Sequence, residues 1–199
     1  MHLSASAIVV AARPHGETAS IARVLSEEFG LVVGYVAGGR GRHLRPVLIP
    51  GNRVAAQLSA RNDSQLPFLK LELVESRGPW LAEPLAAAAI TWVTTLAAAA
   101  LPERSPYPSI YAAVGATLDA ICHAPSARGW LPAVIAYEAL MLRELGYGGA
   151  RPAEADLEGL LAVFARQAVP LERYLLADRK GNAMAARAML GERLEKLKP

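Results

Sequence analysis

The hydrophobic pattern of this chain changes period once. Over the first eighty positions the apolar residues form short runs: Ala7 to Arg13, Thr18 to Ser26 with Ile21, Val24 and Leu25, and Leu31 to Val36, followed by Arg53 to Arg61 and Phe68 to Val74. In the last run Phe68, Lys70, Glu72 and Val74 fall on one side and Leu69, Leu71 and Leu73 on the other, the period of two of a strand with one wet face. Turn residues separate the runs: Arg13-Pro14-His15-Gly16, Glu28-Phe29-Gly30 and Ile49-Pro50-Gly51-Asn52. After Ser76-Arg77-Gly78-Pro79 the texture becomes alanine and leucine at helical spacing.

Five short strands with no room for helical crossovers predict a small antiparallel barrel, and the five-stranded OB-fold barrel fits that count. Gly34, Gly38, Gly39 and Gly41 would permit the tight curvature or bulges of such a barrel. The second half predicts helices over 84–101, about 107–122, 129–146, 154–168 and 182–197, punctuated by Pro106, Pro108, Pro125, Pro152 and Pro170. The expected architecture is therefore α+β, with an OB-fold barrel over 1–79 and an all-helical domain over 80–199.

Within the third helix, Leu131, Val134, Ile135, Leu142 and Leu145 form one stripe, and Glu138 falls in its middle. A carboxylate buried unpaired there would cost several kcal/mol, so it should meet an arginine or a cluster of backbone amides. Gly146, in Gly146-Tyr147-Gly148-Gly149, is the expected helix stop. Both residues are read as structural.

Composition sharpens the division. The chain has 199 residues and a formal charge of +3. Residues 1–80 carry nine Lys/Arg against six Asp/Glu, whereas 81–199 carry twelve against twelve, so the basic excess is N-terminal. Cys122 is the single cysteine, which excludes an intrachain disulfide and a multi-thiolate metal site and points to a reducing cytoplasmic compartment. No signal peptide is read at the start. Pro84 to Pro102 is uncharged over nineteen positions, nearly membrane-spanning, but alanine and three threonines dominate it. Alanine contributes little to transfer into lipid, so a packed helix is expected and no membrane partner.

Covalent chemistry finds little support. The histidines at 2, 15, 43 and 123 include no i, i+4 pair, and P-loop and Gly-x-Ser-x-Gly spacings are absent. Cys122 and His123 are adjacent, so on a helix they diverge by about 100° and form no nucleophile–base pair. Gly38-Gly39-Arg40-Gly41 lacks the spacing of a dinucleotide fingerprint. No catalytic residue, metal or cofactor is expected.

Binding chemistry is better represented. Arg40, Arg42, Arg45, Arg53 and Arg61 stand within Ala37 to Asn62, a stretch without Asp or Glu. Guanidinium groups on a curved sheet and a glycine-rich loop, with Tyr35 and Phe68 as stacking platforms, suit a flexible polyanion. No base-reading constellation is visible, so little sequence specificity is expected. Arg179, Lys180, Arg187, Arg193, Lys196 and Lys198 suggest a smaller basic patch near the C-terminus, read first as a solvated helix face.

Several stretches together resemble a known family. They are Arg13-Pro14-His15-Gly16-Glu17-Thr18, Gly30-Leu31 leading to Gly34-Tyr35-Val36-Ala37-Gly38-Gly39-Arg40, Leu44-Arg45-Pro46 with Pro50-Gly51, and Tyr137-Glu138-Ala139-Leu140-Met141-Leu142-Arg143-Glu144-Leu145-Gly146-Tyr147-Gly148. In this order they resemble the bacterial recombination mediator RecO family of DNA repair proteins. The resemblance implies an OB barrel and a helical domain that bind single- and double-stranded DNA and anneal complementary strands. It also implies work with RecR to load RecA onto DNA covered by the single-stranded DNA-binding protein, whose tail docks on the helical domain. The family's basic surface maps onto Arg40, Arg42 and Arg45. Many members carry a zinc-binding cysteine cluster after the Gly-Tyr-Gly helix end; Gly149 to Asp156 has no cysteine here, so a zinc-free variant is expected. The competing reading is an OB-fold scaffold whose arginines meet acidic protein partners.

Overall fold

The computed structural model describes residues 2–60, 66–148, 156–177 and 183–197. Five strands, β1 (His2–His15), β2 (Ala19–Ser26), β3 (Gly30–Val36), β4 (Arg53–Ser59) and β5 (Phe68–Glu75), close into a barrel in the order β1-β2-β3-β5-β4. Every pairing is antiparallel except the closing contact of β3 with β5, which is parallel through Tyr35 and Phe68. This is the OB-fold barrel with helices following it.

β1 is twice the length that its β-branched run suggests, because it serves two neighbours. Its first half pairs with β4 from His2 to Ile8 and its second with β2 from Ala7 to His15. A register shift between Val9 and Ala11 marks the bulge that lets one strand bend between both partners. The small residues Ser4, Ala5 and Ser6 have weak strand preference and are recruited by the ladder.

Barrel closure depends on a glycine. A Cβ on Gly34 would lie 2.5 Å from Leu69 Cγ and 2.9 Å from the Pro67 carbonyl oxygen. The bare backbone allows the neighbouring Tyr35 amide to donate to that carbonyl at 2.8 Å. Along β5, Leu69 and Leu71 point inward as the alternation predicts. Leu73 keeps its place opposite Val54 but is 43% exposed. A register shift there pairs Arg53 with Glu75, past Val74, and the bulge turns the strand end outward.

The barrel interior is filled by Ala7, Val9, Ala22, Val24, Val32, Val36, Val54, Ala56, Leu58, Leu69 and Leu71, with Val47 and Leu48 entering from the β3–β4 loop. Most of these are β-branched or small, as a tight barrel interior requires.

By its contacts the chain forms two units, Met1–Ala82 with Leu101–Tyr111, and Glu83–Ala100 with Ala112–Pro199. Residues 101–111 join the barrel through the Arg104 amide, which donates to the Leu31 carbonyl at 2.8 Å, and through the Tyr111 hydroxyl, which donates to Ser6 Oγ at 3.3 Å.

The helices are α1 (Pro84–Ala100), α2 (Pro108–His123), α3 (Ala127–Glu144), α4 (Leu157–Pro170) and α5 (Ala183–Glu195). α1 is the alanine-rich segment, and it buries Trp92, Val93 and Leu96 while α5 lies against it. Among the described residues no helix is long and apolar enough to cross a membrane. α4 starts at Leu157, since Asp156 is extended and its side chain caps the Gly159 amide at 2.9 Å. Pro170, expected to end this helix, instead leads into a π-helical stretch, Leu171–Leu176. Burial of Leu171, Leu175 and Leu176 holds the wider turn despite the missing proline N–H.

Candidate nucleic-acid interface

The loop from Ala37 to Asn52 alternates between anchoring and presenting side chains. Leu44, Val47 and Leu48 have helical spacing, and one helical turn forms there, with the Val47 and Leu48 amides donating to the Leu44 carbonyl at 3.0 and 3.1 Å. That turn sends Val47 and Leu48 into the barrel core with Leu44 packed beside them. Arg42, His43, Arg45 and Pro46 are left facing solvent.

A buried asparagine locks the loop from beneath. Asn52 is fully buried, and its Nδ2 donates to the Pro46 carbonyl at 2.8 Å and the Val47 carbonyl at 3.1 Å. Its Oδ1 accepts the Arg77 amide at 2.7 Å. The side chain thus uses donors and acceptor together to join the loop, the start of β4 and the chain after β5. The sequence reading missed Asn52, seeing only a turn residue.

Arg40 is fixed at the other end of the loop. Its amide donates to the Thr18 carbonyl at 2.9 Å and its Nη1 to the Gly16 carbonyl at 2.8 Å, so the β3–β4 loop is tied to the β1–β2 turn. Arg42 Nε donates to His43 Nε2 at 3.3 Å. Arg40, Arg42 and Arg45 are exposed, and none has a carboxylate partner among the described residues. Three cations on one pinned loop make a local positive field.

Of the remaining arginines of the set, Arg53 stands at the start of β4. Arg53 Nε lies 3.1 Å from Glu75 Oε2, so a carboxylate answers its charge. The same Glu75 meets Arg77, whose side chain is fully buried, with Nη1 2.9 Å from Oε1. Arg61 lies outside the described residues.

Tyr35 belongs to a row across the outer barrel face. Strand register sets Arg13 opposite Ile21, Ile21 opposite Tyr35, and Tyr35 opposite Phe68. The Tyr35 ring meets Phe68 edge-on at 5.3 Å and His15 edge-on at 6.0 Å between centroids. Phe68 is 58% exposed. No sequence signal joins His15 to this row, because only the β1–β2–β3 register brings it there.

In the helical unit Glu138 is fully buried and accepts three hydrogen bonds. Trp92 Nε1 donates to Oε1 at 2.8 Å, and Arg187 donates through Nε to Oε1 and Nη2 to Oε2, each at 2.9 Å. Burial pushes the Glu138 carboxyl pKa up, while the Arg187 guanidinium and the Trp92 indole pull against that rise. Arg187 therefore does not belong to a C-terminal surface patch: it is 4% exposed, since its charge is needed inside. Of the other patch residues, Arg179, Lys180 and Lys198 lie outside the described residues. Gly146 has φ +91, and its amide and that of Tyr147 donate to the Arg143 and Leu142 carbonyls at 3.0 and 2.8 Å, a Schellman stop.

Cys122 is buried in α2, and His123 Nδ1 lies 2.8 Å from the Asp119 carbonyl. Among the described residues no three His, Cys, Asp or Glu side chains gather for a metal.

A closed five-stranded barrel with a cationic, anchored loop and an aromatic outer row defines an OB-fold protein carrying a separate helical unit. Residues 1–77 match the profile described as Recombination protein O N terminal, and residues 81–149 match Recombination protein O C terminal. The chain is 42% identical over 149 residues to the DNA repair protein RecO of Rhodospirillum centenum, covering 74% of this chain and 58% of that protein. It is 36% identical over 199 residues to the DNA repair protein RecO of Paracoccus denitrificans, covering 100% of this chain and 76% of that one. With the DNA repair protein RecO of Phenylobacterium zucineum it shares 38% identity over 149 residues, 74% of this chain and 60% of the relative. The chain thus spans less than two thirds of the first and third of these relatives. It belongs to the RecO family.

Proposed function

We propose that this chain acts in DNA repair and recombination as a non-enzymatic mediator, binding single- and double-stranded DNA and annealing complementary strands. The barrel unit, residues 1–79 in the first instance, gathers phosphates on Arg40, Arg42 and Arg45. The observation that carries this reading is the anchored loop that holds three exposed arginines with no described carboxylate beside them. Their charge lowers the repulsion between two approaching strands, which is the physical barrier to annealing. The loop is held at both ends, so little ordering entropy is lost on binding.

The helical unit is assigned the protein contacts: RecR, the tail of the single-stranded DNA-binding protein, and through them RecA. The site of action is the cytoplasm, at the nucleoid. No step in this role makes or breaks a covalent bond.

The test is Arg40→Ala, Arg42→Ala and Arg45→Ala combined, with DNA affinity and annealing rate measured across salt. Each lost contact to a single strand should flatten the slope of log affinity against log salt by roughly 0.7, and annealing should slow in step. An unchanged affinity and slope would remove this reading. If an acidic peptide instead bound the barrel and no oligonucleotide displaced it, the barrel would be a protein-docking module.

A further inference from the structure

We infer that the outer row formed by Phe68 and Tyr35, with His15 at its end, is a base-stacking platform that makes the barrel prefer unpaired strands to duplex. This rests on the nucleic-acid reading of the neighbouring loop and adds a selectivity that the arginines cannot supply. Phosphates are present in both forms of DNA, so a purely cationic surface attracts both. Exposed aromatic rings discriminate, because the π-faces of bases are available only where the bases are unstacked.

Three observations converge. Phe68 is a large apolar ring 58% exposed at the barrel's parallel closure, where burial would otherwise be expected to claim it. Edge-to-face contacts at 5.3 and 6.0 Å fix the three rings relative to one another, so the surface is preorganised. The row also ends in cations. Arg13 occupies the same cross-strand row beyond Ile21, and Arg40 donates to the carbonyl of Gly16, the residue after His15. Rings for bases with arginines beside them for phosphates form the surface complement of a single strand. An apolar protein segment would gain nothing from the flanking charges, and a duplex would offer the rings only sugar edges.

The experiment compares wild type, Phe68→Ala and Phe68→Trp on three probes: short oligothymidylate, an abasic oligonucleotide of equal length, and a blunt duplex. Phe68→Ala should weaken oligothymidylate binding about tenfold. Its affinity for the abasic strand and the duplex, and the salt slope on all three, should stay at wild-type values. Phe68→Trp should restore or strengthen oligothymidylate binding, and unchanged abasic binding serves as the check on folding. Equal loss on every probe, or no loss on oligothymidylate, overturns the platform. Loss of an acidic peptide's binding with DNA binding untouched overturns it too. If the triple arginine variant binds all probes normally, the nucleic-acid reading itself fails. If that variant is weak but Phe68→Ala is not, only the platform does.

Discussion

Arg187 on α5 offers two parallel N–H donors to the two oxygens of Glu138 on α3, both at 2.9 Å, while its guanidinium lies 3.9 Å from the centroid of the Phe164 ring. Neither side chain has appreciable contact with water, so each is the other's main source of charge compensation. Removing one partner strands the other in an apolar surround. Arg187→Met is expected to cost about 3–5 kcal/mol of stability, and Glu138→Leu with Arg187→Met together should recover much of that loss. Urea denaturation of the single and double variants measures both. A double variant no better than the single would show that the pair adds stability beyond its own desolvation.

Next to Glu138, Tyr137 is buried with its hydroxyl donating to the Val93 carbonyl at 3.1 Å. Burial pushes its phenol pKa well above the ordinary value of 10.0, and the Glu138 charge adds to the rise. The unfolded chain releases this proton near pH 10 and the folded chain does not. Above that pH the unfolded state binds fewer protons, so stability present below pH 10 should fall by about 1.4 kcal/mol for each further pH unit. Absorbance of phenolate against pH should show Tyr137 ionising only with unfolding. Tyr137→Phe should flatten the alkaline decline.

Asn52 satisfies two carbonyls of the β3–β4 loop and one amide of the chain after β5. Asn52→Ala leaves these groups unpaired in the barrel wall, at a cost of about 1–3 kcal/mol for each buried group that water cannot reach. The loop should loosen as well. Hydrogen exchange of the amides of Val47 and Leu48 should accelerate more than that of the β1–β2 ladder, and a uniform acceleration would contradict the clamp.

Arg53 provides a contrast to the loop arginines. Because Glu75 shares its single charge between Arg53 and the buried Arg77, the field of Arg53 is partly answered, and Arg53→Ala should change the salt slope of DNA binding less than Arg42→Ala. Equal slopes for Arg53→Ala and Arg42→Ala would mean that the ion pair opens on DNA.

Much of the architecture was legible along the chain. The β-branched runs, the glycine and proline turns and the change of period placed five strands before five helices. Gly146 announced the end of α3, and the position of Glu138 in an apolar stripe implied a buried carboxylate in need of a donor. Local signals of this kind suffice because backbone preference and amphipathic period act over a few residues.

What the sequence alone determined was the strand and helix content, the arginine-rich loop without acidic neighbours, and the need for a partner to Glu138. Only the tertiary structure decided that this partner is Arg187, which in sequence looked like one more surface cation. Tertiary structure also decided that Glu75 lies against Arg53 while, among the described residues, no carboxylate pairs with Arg40, Arg42 or Arg45, and that His15 joins Tyr35 and Phe68. The reason is physical. A charge is counted from composition, but its field depends on which distant groups the register and packing bring within a few ångströms.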